Sequence, residues 1–328
     1  MIFAAILAYF WNVPPSGFTE DPIWSITFSH TFAMDLGLDW KKVYSDILTE
    51  LKPARIRLPV YWSVVEKEEG KYDFSDYDFM MRKAKEEDVE IVLVVGRRVP
   101  RWPECHVPKW AQTASYNEQN DKLKDLIIHI VDRYKNNNIL YAWQVENEPF
   151  LPLFGECPPP DGKMLDEEIR LVKFLDNSRS VIITDSGELS IWMPAYRRGD
   201  VFGTTMYRNV WSEHLSPYLG YITYPIPPKF FWFKANIARF IYGKKPIVVS
   251  ELQAEPWAPG FLKNLPVKEQ EKTFNLEKFY ENIEYARAVG FTEVYLWGAE
   301  WWFYMKESRN NSDFWEFGKE IINGNKAL

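Results

Sequence analysis

The sequence predicts an α/β protein built as one closed (β/α)8 barrel, and three observations predict it. Eight short β-branched runs recur along the chain, amphipathic stretches separate them, and no glycine-rich GxGxxG turn follows any run. Strands alternating with helices imply a parallel sheet, either closed or doubly wound. A doubly wound sheet wants that glycine-rich turn, so its absence favours closure. The chain has 328 residues, enough for a barrel of about 250 residues with loop insertions.

The strand candidates, in order, are Ser25–Ser29, Ala54–Val60, Glu90–Val95, Ile139–Val145, Val181–Thr184, Val201–Met206, Pro246–Ser250 and Glu293–Trp297. Near-continuous apolar runs at Glu90–Val95 and Pro246–Ser250 suit strands buried on both faces. Helical patterns fill most of the intervals. Asn117–Lys135 carries Leu123, Leu126, Ile127, Ile130, Val131 and Tyr134 on one stripe. Val267–Ala288 reads as one helix, with Gly290 as its stop. Asp39–Leu51, Asp76–Lys85, Asp166–Asp176, Lys229–Tyr242 and Ser312–Ile322 supply the others, and the interval around Ala195–Arg198 holds little helix.

Residues 1–23 are set apart from a barrel spanning 24–328. Ile2–Trp11 is apolar and Pro14-Pro15 follows. The run is too short to span a bilayer, which takes ~20 residues. No Lys or Arg precedes Lys41, so the basic start of a signal peptide is missing. Two readings stay open: the end of a trimmed signal or membrane anchor, in or upstream of residues 2–11, or a strand or plug packed on the barrel.

Composition removes several classes of function. A net charge of −7 with no basic run argues against nucleic acid. Four His without an HExxH motif, and two Cys without CxxC spacing, argue against a zinc site. No cofactor is implied, and oligomeric state is not legible. Aromatic residues reach 17%, with 15 Trp, and Trp either fills a core or presents a flat face to the apolar side of a sugar.

The chemistry lies at two strand ends. The fourth candidate ends Trp143-Gln-Val-Glu146-Asn147-Glu148-Pro149, and the seventh delivers Glu251 from an uninterrupted apolar run. In a barrel, strand C-termini carry the catalytic groups. Two carboxyl groups flanking one bond are what glycoside cleavage needs. Most strand-end glutamates are solvated loop residues, so the Asn147-Glu148-Pro149 triplet is the specific signal.

These motifs resemble the clan A glycoside hydrolases, retaining (β/α)8 enzymes with the acid/base on strand four and the nucleophile on strand seven. Trp143–Glu148 is similar to the strand-four motif of β-galactosidases of families 35 and 42, while Pro149 follows the pattern of families 1 and 5. The stretch from Arg57 through Trp62, with Glu69–Phe74 and Asp78 after it, looks like strand two and its loop in families 42 and 39. The resemblance implies Glu148 as acid/base, Glu251 as nucleophile, and Asn147 on the sugar 2-hydroxyl. It implies Arg57 supporting the nucleophile, Tyr207 hydrogen-bonding it from strand six, and Trp297 as floor beneath the sugar. It also implies a retaining β-glycosidase. A transglycosylase, or a silent carbohydrate-binding barrel with the same residues, remains the alternative.

Weaker candidates for substrate contact are His30, His106, Trp62, Trp257, Trp301 and Glu255, which is also the rival nucleophile. Glu146 is the rival to Glu148. Arg57, Tyr207 and Trp297 could instead be packed or paired for structure alone. Trp102, Trp110 and Trp211 could be further sugar platforms. Cys105 and Cys157 fall in the loops after strands three and four, neighbours around a barrel, so a disulfide bracing the rim is expected. That bridge would suit an exported enzyme, and export or anchoring is favoured over the cytoplasm.

Overall fold

The structure is a computed structural model that describes residues 2–152, 154–212 and 215–324. Its central element is a closed barrel of eight parallel strands. These are β1 (Ile23–Thr27), β2 (Arg55–Pro59), β3 (Glu90–Val95), β4 (Leu140–Val145), β5 (Ser180–Asp185), β6 (Val201–Met206), β7 (Ile247–Gln253) and β8 (Glu293–Trp297). They close in the order β1-β8-β7-β6-β5-β4-β3-β2, with a separate two-stranded antiparallel sheet pairing Asn209–Val210 with Ile222–Thr223. The (β/α)8 class read from the strand–helix alternation is therefore the fold. The chain divides into two compact units, one of Arg55–Gly203 and one of Met1–Ala54 with Thr204–Leu328.

In the unit Arg55–Gly203, β2 pairs with β3 in the register Arg57↔Val92, and β3 with β4 at Val95↔Val145. Strand β3 is buried from Ile91 to Val95, because this apolar run is covered on both faces. The covering helices begin where their sequences cap them. Ser115 and Glu118 form a reciprocal capping box ahead of Tyr116–Tyr134, and Asp161 accepts from two amides ahead of Gly162–Leu175. Leu123, Leu126, Ile127, Ile130, Val131 and Tyr134 are buried, so the stripe read from the sequence is the packed face.

In the other unit, β8 lies between β1 and β7, with a register shift between Val294 and Leu296 on its β7 side. Boundaries here differ from expectation. β1 starts and ends two residues earlier, and β7 runs on to Gln253, so Glu251 sits inside the strand rather than just past it. The predicted helix Val267–Ala288 is two helices, Val267–Gln270 and Leu276–Val289, because Asn275 caps a new start on the amide of Lys278. Gly290 ends it at φ 71, where a Cβ would meet the Phe18 ring at 2.1 Å. Ala299–Arg309 is a further helix, outside the helical intervals expected from the sequence. The interval around Ala195–Arg198 holds only the four-residue helix Met193–Tyr196.

Ile2–Asn12 is also a helix, not a strand, and it packs on Pro228–Tyr242 of the same unit. Asn236 donates to the carbonyls of Phe10 and Val13, and Arg239 to that of Ser16. Among the described residues, no helix is long and apolar enough to cross a membrane.

Candidate active site

The end of β4 turns sharply, and two of its glutamates adopt left-handed backbone, Glu146 at φ 57 and Glu148 at φ 44. Such conformations cost about 1–3 kcal/mol each for residues with a side chain and persist only where the surroundings enforce them. Here they do. The Glu146 carboxylate accepts from the backbone amides of Arg97 and Arg98, both at 2.7 Å, and so clamps the end of β3. Gly96 makes that clamp possible, since a Cβ there would lie 2.6 Å from Glu146 Oε1. The amide of Asn147 donates to Arg98 O at 2.7 Å, and the amide of Glu148 to Thr184 Oγ1 at 2.9 Å. Each oxygen of Glu146 thus accepts from a backbone amide, whereas Glu148 is held through its own amide.

Asn147 is held at every polar atom of its side chain. Its Oδ1 accepts from Arg57 Nη2 at 2.7 Å, with Thr184 Oγ1 and Gln144 Nε2 at 3.2 and 3.3 Å. Its Nδ2 donates to Glu104 Oε2 at 3.2 Å, which also fixes which end of the amide is oxygen. Arg57 is fully buried and donates through Nε to Gln144 Oε1 at 2.7 Å. Gln144, Thr184 and Glu104 were not singled out from the sequence. Gln144 carried a signal, because it is a polar residue within the otherwise apolar end of β4, two residues before Glu146. Glu104 carried none, since only the fold of the 96–106 loop brings it to Asn147.

That loop is laced to the one after β4. Cys105 and Cys157 form a disulfide with Cα atoms 5.3 Å apart. Arg98 donates to the carbonyls of Leu151 and Phe154 at 2.6 and 2.8 Å, and the Glu156 amide to that of Pro103 at 2.9 Å. His106 Nε2 meets the Arg101 carbonyl at 3.1 Å, so the nitrogen carries the proton there. Burial lowers this imidazole from 6.5 to about 4, the Arg101 carbonyl opposing. Trp102 beside it is 59% exposed and packs edge-on against Phe154.

The second group belongs to the other unit. Glu251 on β7 is buried, and Tyr207 just after β6 donates its hydroxyl to Glu251 Oε2 at 2.8 Å. Trp257 packs edge-on against Tyr207, ring centres 4.9 Å apart, and stays partly exposed. Trp297 at the end of β8 donates its indole N–H to Glu255 Oε1 at 2.8 Å, so these two candidates form one pair. Gln253 straps the β6–β7 side, accepting from the amides of Arg208 and Asn209 at 2.9 Å and donating to Asn209 O.

Three of the weaker candidates are buried. Trp62 and Trp301 are fully buried, so neither offers a platform to a sugar. Trp62 donates to Glu66 at 2.7 Å, and Trp301 donates to Gln270 at 2.7 Å while packing on Phe274 and Phe314. They are core residues whose N–H groups found partners. His30 is likewise buried, packed on Trp40, and burial lowers it to about 4. It starts the helix His30–Asp35 that Ser29 caps. Among the described residues, no group of three or more His, Cys, Asp or Glu could hold a metal.

Comparison with known proteins agrees with this architecture. Residues 59–155, from the end of β2 through the loop after β4, match the model of glycosyl hydrolase family 10. No curated protein matches in sequence. Among solved structures, GH5_18 from Bifidobacterium longum subsp. longum is similar at TM-score 0.59 and 13% identity, over 84% of this chain and 69% of that one. A variant of that protein is solved in complex with Manb1-4GlcNAc. A cold-adapted β-galactosidase from Rahnella sp. R3 is similar at TM-score 0.62 and 13% identity, over 96% of this chain and 58% of that one. A β-glucosidase from Exiguobacterium marinum is similar at TM-score 0.58 and 12% identity, over 95% and 99%. At these identities the structures share the fold. The family 10 match lies within the closed barrel, the fold that these structures share with this chain.

Proposed function

We propose that the chain is a retaining β-glycosidase in which Glu251 attacks the anomeric carbon and Glu148 serves as acid and then base. The observation that carries the reading is the hydrogen bond from Tyr207 to Glu251. A buried carboxylate inside its strand, near the end, with one oxygen held by a phenol, is fixed in direction by that bond. Glu148, by contrast, is placed through its backbone by Thr184, while its neighbour Asn147 is locked by four side chains. In this mechanism Glu148 protonates the leaving oxygen as Glu251 bonds to carbon. Glu148 then deprotonates the water that releases the sugar. Asn147 would meet the 2-hydroxyl. Trp297, oriented by Glu255, would form the floor of the subsite.

The substrate proposed is a β-linked sugar or oligosaccharide. Exposed Trp102 and partly exposed Trp257 suit stacking on further sugar rings. The bound Manb1-4GlcNAc of the GH5_18 relative makes mannosyl and N-acetylglucosaminyl glycosides the first to try.

The test is a panel of aryl β-glycosides with the parent, Glu251→Ala and Glu148→Ala. Hydrolysis should be abolished in the first variant, and NMR of the first-formed sugar should show the β anomer. An α product, or carboxyl groups ~6.5–9.5 Å apart rather than ~5–5.5 Å in a liganded crystal, would replace retention with inversion. Products longer than the substrate would favour a transglycosylase. Sugar binding without turnover would favour a silent binding barrel.

A further inference from the structure

We propose that the helix Ile2–Asn12 and the end of helix Pro228–Tyr242 form a surface that lies on an anionic phospholipid bilayer. The two helices belong to one unit and pack together, with Phe10 on Phe240 and Trp11 on Phe233 at ring separations of 5.7 and 5.9 Å. Their union leaves apolar side chains outside: Tyr9 is 59% exposed, Phe240 74% and Ile241 54%, with Ile6, Trp11 and Tyr242 exposed beside them. Tyr9, Phe10 and Phe240 make a continuous aromatic run. Large contiguous apolar surface on a folded protein marks an interaction site.

Charge identifies the partner. The protein carries a net −7, yet residues 1–19 and 225–250 contain no Asp or Glu. The second segment holds Lys229, Lys234, Arg239, Lys244 and Lys245. Lys234 is buried, and the other four edge the patch. Lys229 reaches Asn12 Oδ1 at 3.1 Å and Arg239 reaches Ser16 O at 2.9 Å, so these cations sit where the first helix ends. Lys244 and Lys245 follow the exposed Phe240, Ile241 and Tyr242 after the single residue Gly243. An apolar face holding Trp and Tyr, edged by basic side chains, is the composition that settles at the boundary between headgroups and acyl chains. Because the helix packs along Pro228–Tyr242, with Tyr9 exposed beside Phe240 and Ile241, it would lie along the surface.

The experiment is co-sedimentation of the full chain with vesicles of phosphatidylcholine alone, or with about 30% phosphatidylglycerol added. Binding to the anionic vesicles is expected, falling at least tenfold near 1 M salt, where the screening length is about 3 Å. Lys244→Gln with Lys245→Gln should lower partitioning about 25-fold, about fivefold per charge. Tyr9→Ser with Phe240→Ser and Ile241→Ser should abolish it. All five substituted positions are exposed or partly exposed, and thermal unfolding of each variant checks the fold. Failure of the parent to bind anionic vesicles would overturn the proposal. So would equal binding by the serine variant, or light scattering showing a dimer that the serine variant dissolves.

Discussion

Replacing Glu168 with Gln isolates a single proton. Glu168 is fully buried on the helix Gly162–Leu175, and its carboxyl hydrogen-bonds that of Glu146, the residue that clamps β3 to β4. Burial first, and then the adjacent Glu146 carboxylate, push Glu168 well above the usual carboxylate range. It therefore stays protonated in the fold and donates to Glu146. In the unfolded chain a glutamate ionises near pH 4.3. Above that pH the folded state binds the extra proton, so this contribution is fully present below about pH 4.3 and is lost as pH rises. The loss runs at about 1.4 kcal/mol per pH unit until Glu168 ionises within the fold. A glutamine keeps one N–H for Glu146 but has no proton to lose. Its second N–H enters a site where Glu168 Oε1 already lacks a partner, a cost of about 1–3 kcal/mol. Glu168→Gln should thus be less stable than the parent near pH 4.5. The gap should close by about 1.4 kcal/mol per pH unit, and the two curves should cross one or two units higher, by rough arithmetic from those figures. Urea unfolding of both proteins from about pH 4.5 to 7.5 measures this. Parallel curves would refute the shared proton.

Other expectations can be checked alongside. Tyr207→Phe removes the hydroxyl that Glu251 accepts at 2.8 Å. A bond to a charged group is worth ~1.5–3 kcal/mol, so kcat on an aryl glycoside should fall about 10- to 100-fold, and a loss under threefold would count against a role for this contact. The disulfide closes a separation of 52 residues, for which loop entropy gives about 4 kcal/mol, so Cys105→Ser with Cys157→Ser should lower unfolding free energy by about 2–4 kcal/mol. An unchanged urea midpoint would contradict it. His30 is held neutral by burial, which lowers it to about 4. The folded state then binds fewer protons than the unfolded chain, so stability is full above about pH 6.5 and lost as pH falls toward 4, by up to about 3 kcal/mol. His106 is lowered to the same extent, so His30→Phe should reduce that acid limb by about half in the same urea series, and an undiminished slope would assign it elsewhere.

How much was legible in the sequence depended on whether the signal was local. Apolar runs such as Ile91–Val95 can hardly be anything but buried strands, and the stripe of Tyr116–Tyr134 has one packed face. The Asn147-Glu148-Pro149 triplet and the two cysteines were visible for the same reason. Trp62 and Trp301 show the opposite case. A tryptophan carries the same composition signal whether it stacks on a sugar or fills a core, and only the partners Glu66 and Gln270 tell the two apart. Helix breaks were missed where a cap overrode periodicity, as at Asn275. Glu104 and Thr184 were invisible because their part in holding Asn147 and Glu148 comes from loops and strands 36 to 43 residues away.

The lacing of the loops after β3 and β4 has a consequence for a chain that is cut. Gln112 and Thr113 are exposed, between the helix Tyr116–Tyr134 and the disulfide that joins Cys105 to Cys157. A protease that severs the backbone there leaves both fragments tethered through sulfur. The nicked molecule should migrate as one band on a non-reducing gel and separate into two only after a thiol is added.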